Sequence, residues 1–391
     1  MQPLDHLVAA VAAETELARQ LQICNACRYC EGYCAVFPAM ARRLEFPSAD
    51  LHYLANLCHH CGACLHACQY APPHEFAVAL PPALARVRVR SYARFAWPHA
   101  FGRAYDRHGL VLALALAAAL ALVLALAILA QGSAGALLRA PAGGDFYAIL
   151  PHGWMVGLFG PVFAFALFAL GVGVARFWRA VAPDPGPGAR RAPAAQGQRA
   201  AAVAEAARDA LRLRYLDGGH GEGCHEEDER WTLARRRWHH LTFAGFMLCF
   251  AATCVATLYH YGLGRAAPYG FTTLPKLLGI SGGLLLAAGS AGLWRLRRAR
   301  HPLHEAREQR PLDLGFIALL FLGATTGLAL AVLRTTAAMP LLLCLHLGVV
   351  LALFATLPYG KFAHGAYRAA ALLKWAIERR EPPRNRLSEG S

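Results

Sequence analysis

The sequence predicts a mainly α-helical protein, in which a cysteine-rich N-terminal domain is fused to a domain of six transmembrane helices. Three observations lead to this fold class. Eight of the twelve cysteines lie between residues 24 and 68, six apolar blocks of membrane-spanning length follow residue 109, and arginines flank those blocks. Of the 391 residues, 57% are hydrophobic and only 16% are charged, which is unusual for a soluble protein.

The cysteine segment contains two copies of one motif, at residues 24–34 and 58–68. Both copies read C-x2-C-x2-C-x3-C, the spacing of bacterial two-cluster ferredoxins, in which the fourth cysteine of each run ligates the other cluster. The spacing therefore predicts an α-helical, ferredoxin-like domain with two [4Fe-4S] clusters. The expected ligands are Cys24, Cys27, Cys30 and Cys68 for one cluster, and Cys58, Cys61, Cys64 and Cys34 for the other.

Some features of this segment depart from the ferredoxin pattern. In ferredoxins a proline follows each fourth cysteine, whereas Ala35 and Gln69 stand here. A pair of zinc sites is the alternative, although zinc sites commonly use two separated C-x2-C pairs. The histidines at 59, 60 and 66 are expected to face solvent or to hydrogen-bond to sulfur rather than to ligate. The first 21 residues have mixed charge and no apolar core, so we expect no signal peptide and a reducing, cytoplasmic environment for the cysteines.

The apolar blocks predict six transmembrane helices of about 20 residues each. They cover residues 110–130, 152–175, 239–259, 274–293, 314–333 and 339–357. Arginine-rich stretches at 86–107, 235–237 and 295–310 all lie on one side of these spans, which places both termini in the cytoplasm of a bacterium, at its inner membrane. The formal net charge of +15 reflects these flanking arginines, and without a basic stripe with interleaved aromatics no nucleic-acid binding is expected.

These assignments divide the chain into five parts. Residues 1–105 form the cytoplasmic cysteine domain, 106–180 the first two spans, 181–236 a cytoplasmic connection, 237–365 the last four spans, and 366–391 a cytoplasmic tail. Within the connection, residues 183–198 are rich in Pro, Gly and Ala and predict a flexible linker, and residues 200–215 predict an amphipathic helix. The following loop, 218–225, carries Cys224 and is either a docking loop against the cysteine domain or a metal site.

Histidines at the ends of the spans are candidate haem ligands, because a histidine in a bilayer requires a partner. The helical rise places His239 or His240 at the depth of His364, and His260 at the depth of His346. If one helix carries both His346 and His364, they lie on the same face of that helix. On the third span, His239 points closer to the direction of His260 than His240 does, which favours His239 as the ligand. These pairs predict a cytochrome-b-like domain with one or two b-type haems. His152 could replace His260, and the alternative is that these are interfacial histidines bonded to neighbours or headgroups.

Several runs resemble the tricarballylate/citrate utilisation protein B family (TcuB/CitB), which is related to the C-terminal part of CobZ. The runs are 30–38, 57–64 and 69–76 in the cysteine segment, and 236–240, 245–246 and 267–269 later. The stretch 346–364 is also similar to the haem-bearing helix of the nitrate-reductase gamma subunit. The family resemblance covers nearly the whole chain.

The resemblance implies a function in electron transport during tricarballylate and citrate utilisation. The protein would reoxidise the reduced FAD of a TcuA-like tricarballylate dehydrogenase and pass electrons to membrane quinone, as an oxidoreductase subunit without its own substrate-dehydrogenating site. Two alternatives remain open at this point. One is a quinol-oxidising subunit that feeds a heterodisulfide-reductase-like partner, and the other is a membrane redox sensor.

Overall fold

The structure is a computed structural model that describes residues 3–105, 109–182, 196–219, 221–228, 230–306 and 309–381. These residues are mainly α-helical, with one two-stranded antiparallel sheet, as the sequence predicts. The greater part of the predicted linker, residues 183–195, lies outside the described residues, as do His220 and residues 382–391 of the predicted tail.

Six helices belong to the N-terminal cysteine segment. They are α1 Pro3–Cys27, α2 Val36–Met40, α3 Ser48–Leu57, α4 Ala63–His66, α5 Leu80–Phe95 and α6 His99–Tyr105. The later helices are α7 Gly109–Gln131, α8 His152–Val181, α9 Gln196–Leu211, α10 Ala234–Leu263, α11 Leu274–Ala299, α12 Arg310–Leu333, α13 Met339–Thr356 and α14 Ala363–Glu378. Strands β1 Cys224–His225 and β2 Trp231–Thr232 pair between α9 and α10.

Six of these helices are long and apolar enough to cross a bilayer, which confirms the number of spans predicted from the apolar blocks. They are α7 (from Val111), α8, and α10 to α13. The third is longer than predicted, because α10 already begins at Ala234, among the arginines. The amphipathic helix predicted after the linker is also present, as α9.

The third and fourth spans pack with their backbones in close contact, through glycines. A Cβ atom at Gly245 of α10 would lie 2.4 Å from the backbone nitrogen of Leu286 on α11, and one at Gly289 would lie 2.5 Å from that of Thr242. Small residues let transmembrane helices approach closely, which increases van der Waals contact where no hydrophobic force drives association. The glycines therefore fix the helix pair that carries His239 and His260.

The chain does not continue helically from the sixth span to His364, so the assumption of one continuous helix is wrong. Helix α13 ends at Thr356, and residues 357–362 form turns before α14 begins at Ala363. Pro358 explains the break, because proline has no N–H to bond to a carbonyl one turn earlier and restricts the residue before it. His364 consequently lies on a separate helix from His346.

The C-terminal helix packs into the core of the cysteine segment. One hydrophobic core joins α1, α3, α5, the end of α8, α9 and α14. Its fully buried side chains include Leu17, Tyr53, Leu84, Phe177 and Tyr367. Residues 366–378, which the sequence suggested as the start of a cytoplasmic tail, are therefore part of the domain that holds the cysteines.

Candidate metal centres

The first cysteine site lies where α1 ends. Cys24, Cys27 and Cys30 surround a cavity of about 240 Å³, and Cys68, which follows α4, completes the lining. Burial, together with the neighbouring Cys68, Cys30 and Cys27, raises the pKa of the Cys24 thiol to about 12. The structure thus brings together the four cysteines predicted for one cluster, with Cys64 at the edge of the same cavity.

The second cysteine site lies beside the first, between α3 and α4. Cys34, Cys58, Cys61 and Cys64 line one small cavity. Burial raises the pKa of Cys34 well above its usual range, and Cys61 and Cys58 add to the effect. The two cavities share Cys64 in their linings, so the two sites are adjacent.

This arrangement fits iron–sulfur clusters. A four-iron cluster holds its thiolates at the corners of a cube, so its site is a cavity with cysteines around it rather than a single point. Within the described ranges, no three His, Cys, Asp or Glu side chains converge on a position for one metal ion. When bound, clusters would supply one-electron redox chemistry at both sites. Ligation by these eight cysteines stays a prediction.

The loop with Cys224 docks on the second site, which is the outcome that the sequence favoured. The backbone N–H of His225 donates to the carbonyl of Cys61 at 3.0 Å. Gly219 has a positive φ of 90°, and a Cβ atom there would lie 2.0 Å from the carbonyl oxygen of Tyr33. The buried Cys224 thiol hydrogen-bonds to Cys61, which lowers the pKa of Cys61. Cys224 therefore lies behind a predicted ligand.

Of the three histidines of the second motif, His66 is exposed, as the sequence predicts, whereas His59 is buried and His60 is half-buried. His59 is only 6% exposed, and its Nδ1 lies 2.9 Å from the carbonyl oxygen of Leu57. The backbone N–H of His60 donates to the Cys58 sulfur at 3.3 Å, whereas its ring lies 2.5 Å from the carbonyl oxygen of His304. The loop is buried because the membrane-side helices cover it. His66 Nε2 lies 2.8 Å from His304 Nε2.

Four arginines converge on this loop, and the sequence analysis missed them as site residues. Arg88 and Arg368 donate to the carbonyl of Cys58 at 3.0 and 2.8 Å. Arg235 and Arg300 donate to the carbonyl of His60 at 2.7 and 2.6 Å. The flanking arginines were interpreted only as topology signals. One sequence signal was available, since a charged Arg88 stands among apolar residues of α5 at helical spacing.

The third group of candidates is the pair His239 and His364. Their ring centroids are 6.1 Å apart, with 79° between the ring planes. A metal–imidazole bond is about 2 Å long, so two imidazoles on opposite sides of one metal have centroids roughly 6 Å apart. His364 Nδ1 lies 2.5 Å from the carbonyl oxygen of Lys361, which leaves its Nε2 for a ligand. His240 points elsewhere, with Nε2 3.2 Å from the carbonyl oxygen of Leu211.

The structure gives His260 and His346 different neighbours. His260 stacks on His152, with centroids 4.0 Å apart and 20° between the rings. His346 Nδ1 lies 3.0 Å from the Thr326 hydroxyl, between α12 and α13. The sequence allowed His152 to replace His260 as the partner of His346, and the structure instead stacks His152 on His260. The arrangement gives no geometric support for a second haem on His260 and His346.

Two family models match this chain. The Fer4-like domain of Citrate utilization protein B matches residues 17–94, and Citrate utilization protein B matches residues 103–385. The chain belongs to the citrate utilization protein B family. Citrate utilization protein B of Escherichia coli is 56% identical over 367 residues, which cover 94% of this chain and 93% of that protein. No solved structure matches this chain at a significant level.

Membership of the citrate utilization protein B family agrees with the geometry in its broad outline. The Fer4-like match spans both cysteine runs, and the longer match begins before the first span and ends beyond the last. This chain thus combines a Fer4-like domain with six candidate membrane helices, and its family associates it with electron transfer in citrate and tricarballylate utilisation.

Proposed function

We propose that this chain takes electrons from the reduced FAD of a tricarballylate dehydrogenase and delivers them to membrane quinone. Cys24, Cys27, Cys30 and Cys68 would hold one [4Fe-4S] cluster, and Cys34, Cys58, Cys61 and Cys64 the other. His239 and His364 would hold a b-type haem. The chain lies in the bacterial inner membrane with both termini in the cytoplasm.

The observation that carries this proposal is the continuity of the three candidate centres. The two cysteine sites adjoin through Cys64. Arg368 of α14 donates to the carbonyl of Cys58, and His364 lies four residues earlier on the same helix. Residues four apart lie on the same face of a helix, so His364 and Arg368 are neighbours on α14. The second cysteine site, which Arg368 contacts, is therefore one helical turn from the histidine pair. A redox sensor would need no such series of centres.

The orientation of the chain supports a cytoplasmic electron donor. Helix α14 packs with α3, so the cysteine segment and the C-terminal helix lie at the same end of the helix bundle. The arginine-rich stretches lie at that end as well, which is the cytoplasmic end under the positive-inside rule. A soluble flavoprotein in the cytoplasm can therefore reach the first cysteine site, where Tyr29 is 69% exposed.

The test is a count of cofactors in the full chain purified in detergent. Iron, acid-labile sulfide and haem are measured per chain, and EPR spectra are recorded after reduction. The proposal predicts iron and sulfide for two [4Fe-4S] clusters, and a b-type haem that is reduced by the dehydrogenase and reoxidised by added quinone. Zinc in place of iron would refute it. Reduction of the haem by quinol alone, with no response to the flavoprotein, would favour the reverse direction.

A further inference from the structure

Four arginine side chains from different parts of the chain hydrogen-bond to a single loop of the second cysteine site. We call this group, which comprises Arg88, Arg235, Arg300 and Arg368, the arginine clamp. Arg88 comes from α5, Arg235 from α10, Arg300 follows α11, and Arg368 comes from α14. Each of the four donates to the carbonyl of Cys58 or to that of His60. Arg235 and Arg300 belong to the membrane part of the chain, and Arg88 and Arg368 belong to the domain that holds the cysteines, so the clamp joins the two parts.

The clamp carries more positive charge than its protein neighbours neutralise. Arg235 forms an ion pair with the buried carboxylate of Glu226. Within the described residues, Arg88, Arg300 and Arg368 form no ion pair with a carboxylate, and the Nε atoms of these three are buried without a hydrogen-bond partner. The buried carboxylate of Asp313 is already paired with Lys361 and Arg297. Uncompensated buried charge is strongly unfavourable, so this arrangement requires an anion.

The anion that fits is the thiolate-ligated cluster itself. A cluster bound by four thiolates carries net negative charge, and one-electron reduction adds another negative charge. The clamp lies beside the predicted ligands of this site, because Arg88 and Arg368 donate to the carbonyl of Cys58 itself, and Arg235 and Arg300 donate to that of His60, the residue before Cys61.

The first cysteine site has no comparable set of cations among the described residues, where no arginine side chain donates to the carbonyl of Cys24, Cys27, Cys30 or Cys68. Arg28, the nearest arginine in sequence, directs its Nε to the carbonyl of Asn25. The reduction potential of a cluster depends on charge, on hydrogen bonds and on solvent exposure. The two sites differ in the positive charge that surrounds them.

We infer that the arginine clamp makes the second cysteine site the higher-potential centre of the two. Positive charge stabilises the reduced, more negative form, so an electron that enters at the first site settles at the second, beside His239 and His364. This inference rests on the proposed function, since it requires clusters at both sites. The four arginines are positioning residues, because they act through the loop and its field rather than on a substrate.

The test is an EPR-monitored redox titration of the full chain in detergent, with Arg368→Gln and Arg88→Gln compared with the natural protein. Each variant should lower the higher of the two midpoint potentials by at least about 59 mV, which for one electron is a tenfold change in the equilibrium constant of reduction. The lower potential should stay unchanged. Arg368→Lys keeps the charge and should retain most of the original potential. The Cys61→Ser variant assigns the higher couple, because it alters the signal of the second site.

The control is Arg176→Gln, since Arg176 also donates to a backbone carbonyl between helices, that of Ala96, but away from the cysteines. It should leave both potentials unchanged. If Arg368→Gln does not fold, Arg300→Gln removes a charge from the same loop and has the same expected result. A shift of the lower couple, or of neither, overturns the inference while the proposed function stands. Absence of two clusters in the natural protein overturns both.

Discussion

Glu378 near the end of α14 holds two buried cations, and its replacement by glutamine should destabilise the cysteine segment. Its carboxylate lies 2.7 Å from Arg43 Nη2 and 3.4 Å from Lys374 Nζ, and it accepts a hydrogen bond from the Tyr53 hydroxyl at 3.2 Å. The side chains of Glu378, Arg43 and Lys374 are 12%, 10% and 5% exposed. Glu378→Gln keeps the shape of the side chain and removes only the charge.

The expected loss of stability depends on which charges remain beside Arg43 and Lys374 after the substitution. Removal of one partner from a buried ion pair costs about 3–5 kcal/mol, because the other charge is left uncompensated. Asp50 remains 2.7 Å from Arg43 and 3.7 Å from Lys374, so it compensates part of the loss. We therefore expect the lower end of that range, about 3 kcal/mol, and a fall in Tm of about 6–12 °C.

The assay is thermal unfolding in detergent, followed by circular dichroism, with Glu16→Gln as the matched control. Glu16 pairs with Arg19 one turn away on α1, but these side chains are 39% and 44% exposed. An exposed pair of this kind contributes about 0–1 kcal/mol. If Glu378→Gln and Glu16→Gln lower Tm by the same amount, the buried network does not stabilise α14 against the cysteine segment, and the reasoning is wrong.

Three further outcomes are expected. Gly245→Val should lower the unfolding free energy by about 1–3 kcal/mol, because its side chain would overlap the backbone of α11. His52 hydrogen-bonds to Glu14 and is the main cause that lowers the pKa of Glu14 to about 2. Stability from this carboxylate is present above its unfolded pKa near 4.5 and is lost as the pH falls towards 2, so thermal melts should show about 1 kcal/mol less stability at the acid end. His364→Ala should abolish the b-type absorption bands, whereas His240→Ala should leave them.

Each of these outcomes has its own control. Gly157→Val tests the same change on α8, where a Cβ atom would meet nothing within 4 Å, and should be nearly neutral. Glu14→Gln should remove its share of the acid sensitivity, and an unchanged profile would contradict the assignment. If His240→Ala loses the absorption bands and His364→Ala keeps them, the ring contact at 6.1 Å does not mark a haem.

Local spacing allowed the cysteine sites to be predicted in detail. Each run places four cysteines within eleven residues, and the ferredoxin spacing groups the fourth cysteine of one run with the first three of the other, so the motif itself predicts the grouping of Cys68 with the first run. The spans were predictable for a similar reason, since length and hydropathy decide whether a helix can cross a bilayer.

Contacts between distant segments could not be predicted in this way. The clamp joins residues 88, 235, 300 and 368, and no sequence period relates them. Arg88, Arg235 and Arg300 lie in the stretches that the topology rule already explains, and Arg368 lies in none of them. Depth and phase suggested His239 with His364, but the phase argument assumed a continuous helix that Pro358 interrupts. Only the fold showed that His260 stacks on His152.

The packing of α14 into the cysteine segment affects the order in which the protein is made. The first residues synthesised are those of the cysteine segment, but their hydrophobic core includes Tyr367, Ala371 and Trp375, near the end of the chain. Arg368 reaches the second site only when α14 is in place. The pockets for iron and sulfide are therefore complete only after all six apolar helices have left the ribosome. A truncation before residue 363 should leave the cysteine segment unable to mature, however well the preceding helices insert.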